Sequence, residues 1–106
     1  MANVLSINSG NFEAEVMNEE KLTILKFGAA WCGPCKKLDP IIDQIAEERD
    51  DIKVTHIDID NERDIPMKFG VLSVPTTLFF KDGKVMETIV GLVPKAKILD
   101  TIDRLK

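Results

Sequence analysis

The apolar positions of the chain recur with two different periods, which predict strands and helices in alternation. Short apolar or alternating runs predict five strands, at residues 4–7, 22–27, 52–59, 76–80 and 85–90. Apolar residues spaced three or four positions apart predict helices at residues 11–17, from 35 to about 49 and from 94 onward. A cap at Asp60 or Asn61 and a closing Gly70 predict a fourth helix at residues 62–69. The predicted order of elements is therefore βαβαβαββα.

This order indicates how the strands are arranged. The first two connections through a helix predict parallel strands, because a helical crossover returns the chain to the edge of the sheet where the previous strand began. Lys81-Asp82-Gly83-Lys84 predicts a tight hairpin, which makes the last two strands antiparallel. We therefore expect an α/β fold with a mixed sheet of about five strands and about four helices on both faces. The chain has 106 residues and contains neither a repeat nor a linker. We therefore expect a single domain over residues 1–106.

Charge and hydropathy narrow the class of protein. The net charge of −4 argues against a nucleic-acid-binding surface. No run approaches the roughly eighteen apolar residues of a membrane-spanning helix, so we expect no membrane partner. Met1-Ala2-Asn3-Val4 lacks the basic flank and apolar stretch of a signal peptide. These features predict a cytoplasmic protein.

The candidate chemistry lies in Trp31-Cys32-Gly33-Pro34-Cys35, between a predicted buried strand and a predicted helix. The N-terminus of a helix presents unpaired N–H groups and the positive end of the helix dipole, which stabilise a thiolate. The thiolate is the form of cysteine that attacks disulfides. We expect Cys32 to be the more exposed residue and the nucleophile. Cys35, which should lie deeper, would resolve the mixed disulfide.

Two other interpretations of the cysteine pair fit less well. A structural zinc site needs about four ligands, and the chain offers only two cysteines and the distant His56. A purely structural disulfide would close a very short loop, which constrains the unfolded chain little. We therefore expect neither a metal nor another cofactor in this domain.

The chain resembles the thioredoxin family at three separate places. Trp31-Cys32-Gly33-Pro34-Cys35-Lys36 resembles the active-site motif of the family. Val74-Pro75-Thr76 resembles its cis-proline loop, which faces the cysteines, and Val90-Gly91-Leu92 resembles the glycine loop beside the substrate groove. The predicted order of elements is similar to the thioredoxin fold over essentially the whole chain.

The resemblance implies a protein-disulfide reductase that acts on disulfide-bearing client proteins. It implies recharging by a thioredoxin reductase, which itself carries the flavin and nicotinamide. Nothing in the sequence requires more than a monomer. Pro75 would be cis, and the backbone of Val74 would pair with an incoming client strand. The implied contact surface is flat and apolar, and consists of Trp31, Gly33, Pro34, Val74, Gly91 and Leu92.

Position 26 departs from the family pattern. Thioredoxins usually carry a buried aspartate there, which is held to exchange a proton with the buried cysteine, and they carry a lysine on the next strand. In this chain Lys26 stands in place of the aspartate and His56 in place of the lysine. Gly28 replaces a residue that is often tryptophan and leaves space nearby. Lys26 would either extend its ammonium to water or take part in the chemistry. In its charged form it would favour the Cys35 thiolate, and if desolvation leaves the lysine neutral it would accept a proton. In both cases Asp58 is the expected partner of Lys26. Lys26, His56 and Asp58 are therefore candidates for tuning proton transfer.

Two alternative functions are also compatible with the sequence. Lys26 would suit a more oxidising thiol–disulfide isomerase or oxidase on the same fold, although Gly-Pro between the cysteines resembles the reducing thioredoxins. A binding subunit whose redox activity is incidental would be recognised by its lack of turnover with a reductase.

The variant Lys26→Asp tests whether the lysine favours the reduced, thiolate-bearing form. Stabilising the reduced form makes a disulfide a stronger oxidant. The reduction potential of Lys26→Asp should therefore be lower than that of the parent, as measured by equilibration with a dithiol buffer of known potential. An unchanged or higher potential would contradict the hypothesis.

Overall fold

A computed structural model describes residues 3–106, which form one sheet and four helices. The strands are β1 (Leu5–Ser6), β2 (Thr23–Gly28), β3 (Lys53–Asp58), β4 (Thr76–Lys81) and β5 (Lys84–Val90). The helices are α1 (Glu13–Met17), α2 (Gly33–Glu48), α3 (Asp64–Lys68) and α4 (Lys95–Leu105). The predicted α/β class and the predicted order of elements are confirmed.

The five strands lie in the spatial order β1-β3-β2-β4-β5. β3 runs parallel to both β1 and β2, whereas β4 runs antiparallel to β2 and to β5. The sheet is therefore mixed, with a hairpin at one side, as predicted. β2 is the central strand, and its Lys26 is in register with His56 of β3 and Thr77 of β4.

Each face of the sheet is covered by two helices, because apolar side chains of β2 alternate between the faces. One apolar core lies under α2 and α4 and includes Ile24, Leu38, Ile42, Phe79, Ile98 and Ile102. The other lies under α1 and α3 and includes Phe12, Val16, Leu25, Ile65, Leu78 and Phe80. Within residues 3–106, none of the helices has the length and apolar character needed to cross a membrane.

The boundaries of several elements differ from the predicted ones. β1 has only two residues, and α1 is a single π-helical turn. α2 begins at Gly33, earlier than predicted, because Cys32 caps the helix and Pro34 fits its first turn without needing an N–H donor. Gly33 and Pro34 add nothing to an apolar stripe, so periodicity could not reveal this first turn. The helix continues through Pro40.

The hairpin between β4 and β5 depends on left-handed backbone at Asp82 and Gly83, with φ values of 53° and 76°. A Cβ atom at position 83 would lie 3.3 Å from the carbonyl oxygen of Met17. Gly83→Ala should therefore reduce the free energy of unfolding by about 1–2 kcal/mol, measured by urea denaturation. Gly33→Ala is the control, because no atom lies within 4 Å of a Cβ there. Equal stability of the two variants would contradict this prediction.

Candidate active site

Cys32 and Cys35 form a disulfide at the N-terminus of α2. Their Cα atoms are 5.3 Å apart. Cys32 is the N-cap residue, and Cys35 lies in the first turn. Cys32 is 4% exposed and Cys35 is 1% exposed, so both residues are buried in this oxidised form. Ala29, Ile59 and Val74 pack around the pair.

The end of the helix directs a hydrogen-bond donor at the outer sulfur. The backbone N–H of Cys35 donates to Sγ of Cys32 over 3.2 Å. The unpaired N–H groups and the helix dipole at this end favour negative charge on that sulfur once the disulfide is reduced. A thiolate at Cys32 is the form that attacks a disulfide. The pair is thus arranged for reversible thiol–disulfide exchange.

Two distant segments of the chain complete the surroundings of the disulfide. The Val74–Pro75 peptide bond is cis, and the carbonyl oxygen of Val74 lies 3.7 Å from Sγ of Cys32. Gly91, with a φ of 93°, donates its backbone N–H to the carbonyl oxygen of Pro75 over 2.8 Å. The structure therefore joins the cysteine motif, the proline loop and the glycine loop into one site.

The surface around the disulfide is largely apolar and accessible. Trp31 is 66% exposed and Leu92 is 44% exposed. Gly33 and Pro34 are also exposed, whereas Val74 is half-buried. Exposed apolar side chains therefore border the disulfide.

Sequence reasoning missed other residues at this surface. Asp60 accepts a hydrogen bond of 2.9 Å from Nε1 of Trp31 and so orients the indole ring. Met67 and Leu72, which are 76% and 97% exposed, line the same open cleft of about 360 Å³ as Trp31 and Val74. Periodicity gave no signal for them, because it identifies apolar residues that face a core.

Lys26 has a different partner from the one predicted. The residue is 1% exposed, and its Nζ forms an ion pair with Oδ1 of Asp39, on α2. The expectation that Lys26 pairs with Asp58 is therefore wrong. α2 packs over this face of the sheet and brings Asp39 above β2, whereas Oδ1 of Asp58 accepts the backbone N–H of Asp60 over 2.9 Å. Asp39 also offsets part of the positive charge of the buried Lys26 ammonium.

The space left by Gly28 is filled by the lysine itself. A Cβ atom at position 28 would lie 2.6 Å from Nζ of Lys26 and 3.4 Å from Cε1 of His56. The ammonium therefore lies over Gly28, where it pairs with the Asp39 carboxylate, rather than extending to open water. A side chain at position 28 would displace it from this carboxylate.

His56 shares a second cleft with this ion pair. The cleft has a volume of about 400 Å³ and is lined by Lys26, Ala29, Ala30, Lys36, Asp39, His56 and Asp58. Burial lowers the pKa of His56, and the nearby Lys26 ammonium lowers it further. The Asp39 and Asp58 carboxylates raise this pKa, but by less. Among residues 3–106, Nδ1 of His56 has no hydrogen-bond partner. The same residues contain no group of three or more His, Cys, Asp or Glu side chains that could hold a metal ion.

A dithiol pair at a helix N-terminus, facing a cis-proline loop on a mixed five-stranded sheet, defines a thiol–disulfide oxidoreductase. The chain belongs to the thioredoxin family, because the family model described as Thioredoxin matches residues 3–104. Its function is protein-disulfide reduction through the Cys32–Cys35 pair, and its clients are proteins that carry disulfides. The alternatives of an oxidising isomerase and a binding subunit are not favoured.

Relatives of similar length support this assignment. The chain is 39% identical to the thioredoxin of Haemophilus influenzae over 105 residues, which cover 98% of each chain. It is 40% identical to the thioredoxin of Listeria monocytogenes over 102 residues, 95% of this chain and 97% of that one. It is 33% identical to thioredoxin 1 of Synechococcus elongatus over 105 residues, again 98% of each chain.

The lowered pKa of His56 predicts how stability depends on pH. Below its ordinary pKa of 6.5 the unfolded chain takes up a proton that the folded chain resists, so stability is fully present above pH 6.5 and is lost as the pH falls. The slope for one proton is at most about 1.4 kcal/mol per pH unit. In His56→Gln this slope should disappear between pH 5.5 and 6.5, as measured by urea denaturation of the oxidised protein. If the free energy of unfolding changes with pH to the same extent in His56→Gln and in the parent, the prediction is contradicted.

Proposed function

We propose that Cys32 is the nucleophile and Cys35 the resolving residue of the reductase. The Cys32 thiolate attacks a client disulfide and forms a mixed disulfide with one client sulfur. Cys35 then attacks Sγ of Cys32, so the client leaves as a dithiol and the Cys32–Cys35 disulfide forms. The observation that supports this order most directly is the Cys35 N–H donated to Sγ of Cys32 over 3.2 Å, because it stabilises the outer thiolate.

The client strand is bound through the proline loop and the apolar surface. The Val74 backbone, 3.7 Å from Sγ of Cys32 through its carbonyl oxygen, pairs with the client backbone beside the disulfide. Trp31, Gly33, Pro34, Gly91 and Leu92 provide the surrounding apolar contact. Exposed apolar side chains of this kind are suited to binding several different clients, because apolar contact requires no fixed geometry.

The proposal extends to the cellular setting. The oxidised protein is recharged by a thioredoxin reductase, whose flavin and nicotinamide supply the electrons. The Cys32–Cys35 domain needs no cofactor of its own. Residues 1–106 act as one domain and as a monomer in the cytoplasm. The net charge of −4 supports the absence of a nucleic-acid partner, and we propose no membrane partner.

Single-cysteine variants test the two roles. Cys35→Ser should accumulate a mixed disulfide with an oxidised client protein, because its Cys32 thiolate can attack but the complex cannot be resolved. Cys32→Ser should form no such complex, and both variants should reduce clients no faster than background. Non-reducing gel electrophoresis and mass spectrometry detect the complex. Accumulation in Cys32→Ser instead would reverse the assigned roles.

A further inference from the structure

We propose that Asp39, held in place by Lys26, is the acceptor of the Cys35 proton in the resolution step, and that water in the charged cleft carries the proton. This inference rests on the proposed roles of the cysteines. Resolution needs a base, because Cys35 must lose its proton before it can attack Sγ of Cys32. The resolving residue is 1% exposed, so bulk water has little access to it.

Asp39 lies on the same helix as Cys35, four residues further along. Residues four apart on a helix share one face, with their Cβ atoms about 5–6 Å apart. Ala29 lies between the two sites, because it packs against both cysteines and also lines the charged cleft. The carboxylate of Asp39 is therefore one helical turn from the thiol, in a cleft that shares a wall with the disulfide.

The other charged and titratable groups of the cleft suit this role less well. They are Lys36 of α2, Lys26 of β2, and His56 and Asp58 of β3. Both lysines are donors in their charged form, and Lys26 is already bonded to Oδ1 of Asp39. Asp58 accepts the backbone N–H of Asp60 over 2.9 Å. His56 is on β3, whereas Asp39 and Cys35 are on one rigid helix.

Resolution moves one proton away from Cys35 and replaces one disulfide bond by another. The thiol proton of Cys35 passes through water to the carboxylate of Asp39. The Cys35 sulfur forms a bond to Sγ of Cys32, the bond between Cys32 and the client sulfur breaks, and the client sulfur leaves with the electron pair. The client thiolate takes up a proton, and Asp39 returns its own proton to water. Lys26 is a positioning residue here, because it orients the carboxylate and neither gives nor takes a proton in the step.

Single-turnover kinetics separate the two steps of the reaction. Asp39→Asn should form the mixed disulfide at the parental rate but resolve it about 10²-fold more slowly at pH 7, the scale of a lost general base. The deficit should shrink as the pH rises, because hydroxide then deprotonates Cys35. Asp39→Glu keeps the carboxylate and should recover most of the rate. Asp43→Asn removes the same charge one turn further along α2 and should resolve at the parental rate.

A double variant separates the lost base from the unpaired lysine. Lys26→Met/Asp39→Asn removes both charges and should still resolve slowly; a parental rate would show that the unpaired ammonium caused the deficit and would overturn the proposal. An unchanged resolution rate in Asp39→Asn, or a slow one in Asp58→Asn instead, would also overturn it. If Cys35→Ser traps no mixed disulfide, the proposed roles of the cysteines are wrong. If Cys35→Ser traps the mixed disulfide but Asp39→Asn resolves it at the parental rate, only the role of Asp39 is wrong.

Discussion

A lysine ammonium buried in the central strand of the sheet requires a carboxylate within reach. Taking an unpaired ion out of water costs several kcal/mol, and Lys26 is 1% exposed. Three elements meet this requirement together: β2 carries the lysine, Gly28 leaves the space in which its ammonium lies, and α2 supplies Asp39. The ion pair thus depends on the position at which α2 packs over this face of the sheet.

The same helix connects the ion pair to the redox chemistry. Cys32 caps α2, Cys35 lies in its first turn, and Asp39 follows one turn later. A displacement of the helix would change both the distance from Sγ of Cys32 to the proline loop and the reach of Lys26. The disulfide and the Asp39 side of the charged cleft are therefore positioned by a single helix, which also sets the distance from Sγ of Cys32 to the Val74 carbonyl oxygen.

Local sequence signals identified most of the fold and the centre of the site. The five strands and three of the helices follow from apolar periodicity, and α3 follows from its capping residues. The cysteine pair, Pro75 and Gly91 follow from motifs that are each only a few residues long. The early start of α2 was missed, because a cap is made by one sulfur and one N–H rather than by an apolar stripe. Met67 and Leu72 were missed because exposed apolar residues leave no periodic pattern.

The sequence by itself determined the class of fold, the redox pair and the presence of an unusual charge at position 26. Only the tertiary structure decided which carboxylate pairs with that charge. Asp58 lies on the adjacent strand two residues after His56, which made it the natural choice from strand alternation. Asp39 is thirteen positions away from Lys26 along the chain, and it reaches the lysine because of the angle at which α2 crosses the sheet. That angle is set by the packing of many side chains at once, so no local pattern could reveal it.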